Sequence, residues 1–221
     1  TFFKVVYRRH TNFSMEAIQQ TLNGSSTGTA TTTSTCTISR NGDLVYKVYV
    51  SDSTSTAITN GSAMVSEVEL EIGGQLIDRH YQEWMNVWTE LSTPDSKAIG
   101  LKAMQCDIGI QQDTGVGLVQ VPLQFWFCRN PGLALPLIAL QYHEVKLIFT
   151  WGAGSTSATP IVWCDYIYLD TDERRRFAQV SHEYLIEQVQ KETYVTEVGD
   201  KKLNFNIHGT LGKHYEKAFI Q

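Results

Sequence analysis

The sequence EVELEIGGQLIDRHY, residues 67–81, alternates apolar and polar side chains up to a pair of glycines and then continues as a second extended stretch. On an extended chain, Val68, Leu70 and Ile72 point to one face and the three intervening glutamates point to the other. Gly73-Gly74 allows the positive φ angles that a two-residue hairpin turn requires. The stretch therefore predicts a β-hairpin with one buried face.

Similar alternation recurs along the chain and predicts an all-β protein. Further strands are expected over residues 35–39, 43–50, 119–127, 143–150, 161–169 and 183–189. Residues 21–37 and 51–62 are rich in Ser and Thr and are expected to be exposed loops. The pattern indicates an antiparallel sandwich or barrel, but it does not distinguish a jelly roll from an immunoglobulin-like or lectin-like sandwich.

Helical signals are few. Tyr81, Trp84, Trp88 and Leu91 have the spacing of one helix face, which should end before Pro94. Asp170 followed by acidic residues predicts the start of a second short helix. Both helices fall between predicted strands, as expected for short helices within the loops of a β-sandwich.

Composition narrows the classes of function. The chain has 221 residues, 42% of them hydrophobic, and a formal net charge of −5, which excludes a mainly disordered chain and disfavours broad nucleic-acid binding. Its longest apolar run, residues 131–140, contains two prolines and is too short to span a membrane. Residues 1–10 lack the long apolar core of a signal peptide and the first residue is not Met, so we expect the sequence to begin inside a longer product.

Motifs for catalysis or metal binding are missing from the sequence. It has no His-x-His pair, nucleophile elbow, P-loop, dinucleotide fingerprint or H-E-x-x-H motif, so we expect no enzymatic activity, cofactor or metal. Four cysteines lack any C-x-x-C spacing and are expected to be reduced thiols in a cytosolic setting. A carbohydrate-binding sandwich and a cupin-like enzyme remain alternatives. The aromatic residues between Trp84 and Phe127 are interpreted as core rather than as a sugar platform.

Two surface features have open interpretations. The cluster Arg174, Arg175, Arg176 is either a solvated or salt-bridged turn, or a docking site for an acidic patch on a neighbouring subunit. Asn12, Asn23 and Asn60 match the N-glycosylation motif, which matters only if the chain enters the secretory pathway.

Several longer blocks occur in a defined order along the chain. They are residues 1–4 (TFFK), 7–13 (YRRHTNF), 38–44 (ISRNGDL), 68–75 (VELEIGGQ), 131–147 (PGLALPLIALQYHEVKL), 176–179 (RFAQ) and 182–188 (HEYLIEQ). Together they resemble the major capsid proteins of nucleocytoplasmic large DNA viruses, in particular those of chlorella-type algal viruses and their iridovirus and mimivirus relatives.

The resemblance implies an eight-stranded antiparallel jelly-roll sandwich, the first half of a double jelly roll, with short helices in its loops. Residues 1–13 would form an N-terminal arm, residues 14–190 the first jelly roll, and residues 191–221 a linker and the partial start of a second. A single-jelly-roll minor or vertex capsid protein is the weaker alternative.

The resemblance also implies partners and a location. Three chains would form a pseudo-hexagonal capsomer of an icosahedral virion shell, assembled in the host cytoplasm with neighbouring capsomers and minor capsid proteins. An internal membrane would lie nearby without being spanned, and nucleic acid would not be contacted directly. Phe2, Phe3 and Tyr7 are expected to lie across a neighbouring domain or the capsomer base, because exposed aromatic side chains are costly in water.

Overall fold

The computed structural model describes residues 11–24, 31–52, 61–105, 119–152 and 159–191. The strands in chain order are β1 (Phe13–Gln20), β2 (Leu22–Gly24), β3 (Thr33–Thr37), β4 (Leu44–Asp52), β5 (Val65–Ile72), β6 (Gln75–Tyr81), β7 (Val119–Pro122), β8 (Leu135–Pro136), β9 (Val145–Trp151) and β10 (Ile161–Leu169). The α-helices are α1 (Gln82–Ser92), α2 (Asp95–Gln105), α3 (Trp126–Arg129) and α4 (Thr171–Gln179). Short 3₁₀ helices cover Gly61–Met64 and Pro131–Leu133.

The strands form two five-stranded antiparallel sheets. The first sheet has the order β1-β10-β4-β7, with β8 also pairing β4, and the second has the order β2-β3-β9-β5-β6. If the two shortest strands, β2 and β8, are set aside, the other eight pair in a nested way: β1 with β10, β3 with β9, β4 with β7, and β5 with β6. First pairs with last and the middle two pair with each other, as when a long hairpin is rolled up. The predicted jelly roll is therefore confirmed.

The core lies between the inner faces of the two sheets. In β9, Val145, Leu147, Phe149 and Trp151 are buried, whereas the residues between them are partly exposed. The rings of Phe149 and Trp151 stack with centroids 5.4 Å apart. Burying an apolar side chain of this size stabilises the fold by roughly 1.5–3 kcal/mol, so regular alternation commits the whole strand to one orientation.

The predicted hairpin around the glycine pair is confirmed. Strand β5 pairs with β6 from Glu67↔Tyr81 to Ile72↔Gln75, and Val68 and Leu70 are fully buried. Gly73 and Gly74 have φ angles of 62° and 79°, a conformation that residues with a Cβ adopt only at a cost.

An Asn-Gly pair between two predicted strands, as at Asn41-Gly42, predicts a tight hairpin turn, and this prediction is wrong. The pair links β3 to β4, which belong to different sheets, so no hairpin forms there. The φ of Gly42 is not positive; instead, a Cβ at this position would lie 2.8 Å from the Cβ of Tyr166. Glycine is required at residue 42 because the chain passes directly over a buried tyrosine.

The expectation of exposed loops over residues 21–37 and 51–62 is wrong for their described parts. Strands β2 and β3 lie within the first stretch, and Ser34 and Cys36 of β3 are buried. The buried hydroxyl of Ser34 accepts a hydrogen bond from Nε1 of Trp151 at 2.9 Å. The Ser- and Thr-rich sequence was misleading because Thr is β-branched and a satisfied hydroxyl can enter a core.

Two predicted strands differ from the structure. Residues 119–125 keep alternating burial, but the ladder ends at Pro122, which has no N–H to donate, and Trp126 and Phe127 are both buried in α3. Partly buried side chains recur along residues 183–189, yet these residues pair with no described strand. An alternating sequence predicts which side chains are buried. It does not predict a hydrogen-bonded strand, because that also requires a neighbouring strand to pair with.

The helices agree with prediction in part. Helix α1 is confirmed, although Leu91 is 81% exposed rather than on the buried face, and α2 was not predicted. Helix α4 begins after Asp170, whose carboxylate accepts the backbone N–H of Thr171 at 2.7 Å. Among the described helices, none combines the length and apolar composition needed to cross a bilayer.

Gly42→Ala should lower the free energy of unfolding by about 1–3 kcal/mol, because the added Cβ would press on the buried Tyr166 ring. Urea unfolding followed by tryptophan fluorescence measures the change. The matched control is Gly100→Ala in α2, where a Cβ would meet nothing within 4 Å, so stability should rise by about 0.5–1 kcal/mol. Equal effects at the two glycines would contradict the packing described for residue 42.

Candidate assembly surface

One carboxylate–imidazole pair among the described side chains is sealed inside the protein. Asp78 and His80 lie on β6 with side chains 1% exposed, and Oδ2 of Asp78 is 2.8 Å from Nε2 of His80. The imidazole stacks on Phe125, with ring centroids 4.4 Å apart. A carboxylate–imidazole pair could in principle transfer protons, but no solute can reach this one from solvent. The pair therefore has a structural role.

Asp78 also joins β6 to the chain that follows α4. Its Oδ1 accepts the backbone N–H of Arg79 at 2.8 Å and that of Val189 at 3.1 Å. On the same strand, the backbone carbonyl of Ile77 accepts a hydrogen bond from the side-chain amide of Gln188. Residues 181–191, here named the strap, thus reach the outer edge of β6 at Gln188 and Val189, where no other described strand pairs.

Further contacts hold the strap along its length. Tyr184 and Ile186 pack against the main core, and the Tyr184 hydroxyl donates to the carbonyl of Ala134 at 3.2 Å. Near its end, Nζ of Lys191 is 3.0 Å from both carboxylate oxygens of Glu83 and 4.7 Å from the ring centre of Tyr81. The predicted strand at 183–189 is therefore a strap fixed mainly by side chains.

Within the arginine cluster, Arg174 pairs with a carboxylate of the same chain, whereas Arg175 and Arg176 are exposed. Nε of Arg174 is 2.9 Å from Oδ1 of Asp43 and a terminal nitrogen is 3.0 Å from Oδ2, a two-pronged pair that holds α4 against the first sheet. Oδ2 of Asp43 also accepts the N–H of Leu169 at 2.8 Å. Arg175 and Arg176 are exposed, and Arg176 is 4.0 Å from Glu173.

Only some of the other predicted surface residues lie in the part of the chain that the structure describes. Asn12 and Asn23 are exposed, so both glycosylation motifs are accessible in the structure, whereas Asn60 lies outside the described residues. Phe2, Phe3 and Tyr7 also lie outside them. Their proposed contacts and any glycosylation stay predictions.

The aromatic residues considered for a sugar platform are mostly structural. Phe125 and Phe127 are fully buried and Trp126 is 6% exposed, which confirms the interpretation as core. Trp88 borders a cleft of about 550 Å³ between α1, α2 and the outer face of the first sheet. The Arg129 guanidinium lies 3.8 Å over the centre of the Trp88 ring and covers the face that a sugar would stack on.

Exposed apolar side chains mark β1, which sequence reasoning missed as a strand. Phe13 and Met15 are 65% and 48% exposed and point to one face of the first sheet. The alternation of Phe13, Met15 and Ala17 with polar residues was a usable signal, but it is short and its apolar side faces solvent. The sequence interpretation therefore overlooked β1 as part of the candidate assembly surface.

The described cysteines are buried thiols. Cys36, Cys128 and Cys164 are free, and Cys106 lies outside the described residues. Desolvation raises the pKa of Cys36 and of Cys128 to about 12 and that of Cys164 well above its usual value. Among the described side chains no group of three or more His, Cys, Asp or Glu could hold a metal ion, and the expectation of a metal-free protein stays a prediction.

Comparison with known proteins gives consistent matches. A family model described as "Major capsid protein N-terminus" matches residues 1–170. The chain is 49% identical over 227 aligned residues to the major capsid protein of Pyramimonas orientalis virus, covering 93% of this chain and 57% of that protein. It is 45% identical to the major capsid protein of Paramecium bursaria Chlorella virus 1, covering 86% of this chain and 48% of the relative.

A solved assembly matches the fold as well. A quasi-atomic model of the Paramecium bursaria Chlorella virus 1 capsid aligns with a TM-score of 0.75 and 42% identity, over 93% of this chain and 56% of the matched chain. The chain thus spans about half the length of the curated relatives that it matches.

Asp78→Ala should destabilise the protein by about 3 kcal/mol and loosen the strap, because it removes the acceptor for Val189 N–H and leaves His80 buried without its carboxylate. Urea unfolding measures the stability change, and hydrogen exchange of the strap amides measures the loosening. The control is Glu187→Gln at a carboxylate that is 79% exposed beside Arg129, which should change stability by less than about 1 kcal/mol. A strap that exchanges no faster in Asp78→Ala would refute its attachment through this carboxylate.

Raising the pH from 8 to 10 should lower stability through the buried thiols. Their folded pKa is above the unfolded value near 9, so the unfolded chain loses protons first and stability falls between about pH 9 and pH 12. The expected loss is about 1 kcal/mol per thiol at pH 10. Unfolding of Cys36→Ala/Cys128→Ala, measured across the same pH range, should show the smaller decline, and parallel curves would contradict the prediction.

Proposed function

This chain belongs to the major capsid protein family, and from that premise we propose that it is a structural subunit of the icosahedral shell of a large DNA virus. The observation that carries the proposal is the joint match in sequence and fold: 42% identity with a TM-score of 0.75 to a chain of a virus capsid. The location that follows is the capsid shell of the virion.

The positions of the ionisable side chains and of the thiols support a structural rather than an enzymatic role. The Asp78–His80 pair is sealed in the core, and the described thiols are buried and protonated. The Arg174–Asp43 pair is used to fix α4. These groups stabilise the sandwich, so we propose that the protein acts through self-association and has no turnover.

We further propose that three copies form a pseudo-hexagonal capsomer. The relatives are about twice the length that this chain covers, which leaves room for a second sandwich of similar size. Residues 191–221 would be the linker and its beginning. Three chains with two sandwiches each present six similar units around one axis, and such capsomers tile a shell together with minor capsid proteins.

The charge of the chain fits a shell that does not touch the genome. The net charge of −5 disfavours direct binding to nucleic acid, which agrees with a membrane between the shell and the genome. We propose assembly in the host cytoplasm, next to that membrane but without spanning it.

Two surfaces are proposed for contacts between subunits. The N-terminal arm, through Phe2, Phe3 and Tyr7, would lie across a neighbouring domain or the capsomer base. Arg175 and Arg176 project from α4 and would pair with an acidic patch on a neighbour, whereas Arg174 already holds Asp43. Electron microscopy of the purified native protein tests assembly directly: trimers that pack in hexagonal arrays support the proposal, and a protein that stays monomeric at high concentration refutes it.

The size of the native gene product separates the two kinds of capsid protein. Intact mass spectrometry should give a chain about twice as long as the one described here if it is the major subunit. A product of this length that forms no hexagonal array would favour a single-jelly-roll minor or vertex protein.

Deleting residues 1–10 should reduce the native mass from that of a trimer to that of a monomer, because the arm's aromatic side chains would no longer bridge copies. The deletion stops before β1, which begins at Phe13, so the sandwich should keep its circular dichroism spectrum. Phe2→Ala/Phe3→Ala/Tyr7→Ala keeps the arm's length and should have the same effect in native mass spectrometry. An unchanged oligomer mass in both variants would remove the arm from the interface.

A further inference from the structure

Each sheet of the sandwich has two edges, and three of the four are short or covered. The outer edge of β6 is covered by the strap through Gln188 and Val189. Strand β7 has four residues, ends at Pro122 and lies beside α2. Strand β2 has three residues. Short strands, prolines and covering segments are the usual protection of a sheet edge.

The remaining edge, β1, has none of these protections within the described residues. It is eight residues long and pairs with β10 on one side, from Phe13↔Leu169 to Gln20↔Val162, and no described strand pairs with its other side. It contains no proline and one charged residue, Glu16. Phe13 and Met15 add exposed apolar surface beside the edge. Such an edge is a template for another strand.

We propose that the outer edge of β1 receives residues 2–9 of a second copy of this chain as an added strand. The segment FFKVVYRR has the length of β1 and is rich in the aromatic and β-branched residues that favour strands. Phe3, Val5 and Tyr7 share one face and would extend the apolar surface of Phe13 and Met15. The inference rests on the proposed self-association and names the surface that the arm of a neighbour occupies.

Charge complementarity supports this occupant. The arm carries Lys4, Arg8 and Arg9 and no acidic residue, whereas the single charge on β1 is the carboxylate of Glu16. Opposite charges on adjacent strands stabilise their pairing and like charges disfavour it. A basic arm and an acidic edge strand therefore favour heterologous pairing, with the arm of one copy on β1 of another, over two β1 strands pairing with each other.

The path of the chain into β1 favours a second copy over the same chain. For its own arm to cover β1, the chain would have to reverse sharply just before Phe13. Thr11 and Asn12 form no turn, and neither has a positive φ. Of residues 9–12, Asn12 is of a type that tight hairpin turns use, and its φ is not positive. Nothing in residues 11 and 12 therefore turns the chain back along its own β1, and we take the arm of a neighbouring copy as the occupant.

Photo-crosslinking tests the proposal without assuming a register between the strands. The native protein is prepared with a benzoylphenylalanine in place of Phe3, and ¹⁵N-labelled and unlabelled copies are mixed before assembly and then irradiated. Mass spectrometry should find the arm joined to the peptide containing residues 13–20, with about half of these products linking a labelled copy to an unlabelled one. Products confined to one copy, or joined to another surface, would overturn the proposal.

Charge variants on β1 provide a second readout. Glu16→Lys should lower the yield of this crosslink by about tenfold, since it sets a cation against the basic arm. Glu16→Gln should lower it less, and an equal yield in both variants would count against the pairing. The same photoreactive residue in place of Tyr142, which is 88% exposed, controls for random collision and should give no product with β1.

The outcomes also separate this inference from the proposed function. If the protein assembles into trimers and arrays but the arm crosslinks elsewhere, the β1 site is wrong and the capsid function stands. If the protein is monomeric, both are wrong, because no neighbour is present to supply the arm.

Discussion

The structure depends on the burial of two apolar sheet faces against each other. Neither face is stable in water alone, and the nested pairing brings strands from opposite ends of the sequence together to enclose them. Strand β1 pairs with β10, so Phe13 lies opposite Leu169. Closure of the core and formation of the outermost strand pair are thus one event, and most of the domain must be present before either is favourable.

A buried polar contact fixes the point where the chain leaves one sheet for the other. The hydroxyl of Tyr166 donates to the carbonyl of Ser39 at 2.6 Å, and Oε1 of Gln20 accepts the N–H and hydroxyl of Ser39 at 2.9 and 2.7 Å. Desolvation keeps this phenol protonated by raising its pKa above the usual value. The contact joins the end of β1, the β3–β4 link and β10, and the link runs so close to Tyr166 that residue 42 must be glycine.

The edges of the sheets connect the fold to assembly. The outer edge of β6 is covered by the strap, whereas no described strand pairs with the outer edge of β1, which is why we propose β1 as the site of association. Two carboxylates fasten peripheral segments to the sandwich: Asp78 attaches the strap and Asp43 attaches α4. An edge strand without a described partner suits repeated contact with copies of the chain, as the proposed role in a shell requires.

Much of the fold and some of the candidate surface could be predicted from residue order. Alternation identified the faces of β5, β9 and β10, and the glycine pair identified the hairpin, because both signals depend only on neighbouring residues. Asp170 and the acidic residues after it located α4 for the same reason. The Ser- and Thr-rich stretch around β3 misled, since burial of Ser34 depends on Trp151, which is distant in sequence.

What the sequence alone determined is the period of each segment, the hairpin turn and the family blocks, all of them local patterns. The tertiary structure decided which strands are partners and that residues 183–189 became a strap instead of a strand. It also decided that Arg174, although half exposed, pairs with Asp43. It decided as well that β1 is an edge strand whose outer side pairs with no described strand. The physical reason is that an edge is defined by the absence of a neighbour among the described strands, and pairing across the whole chain is not encoded in the period of any one segment.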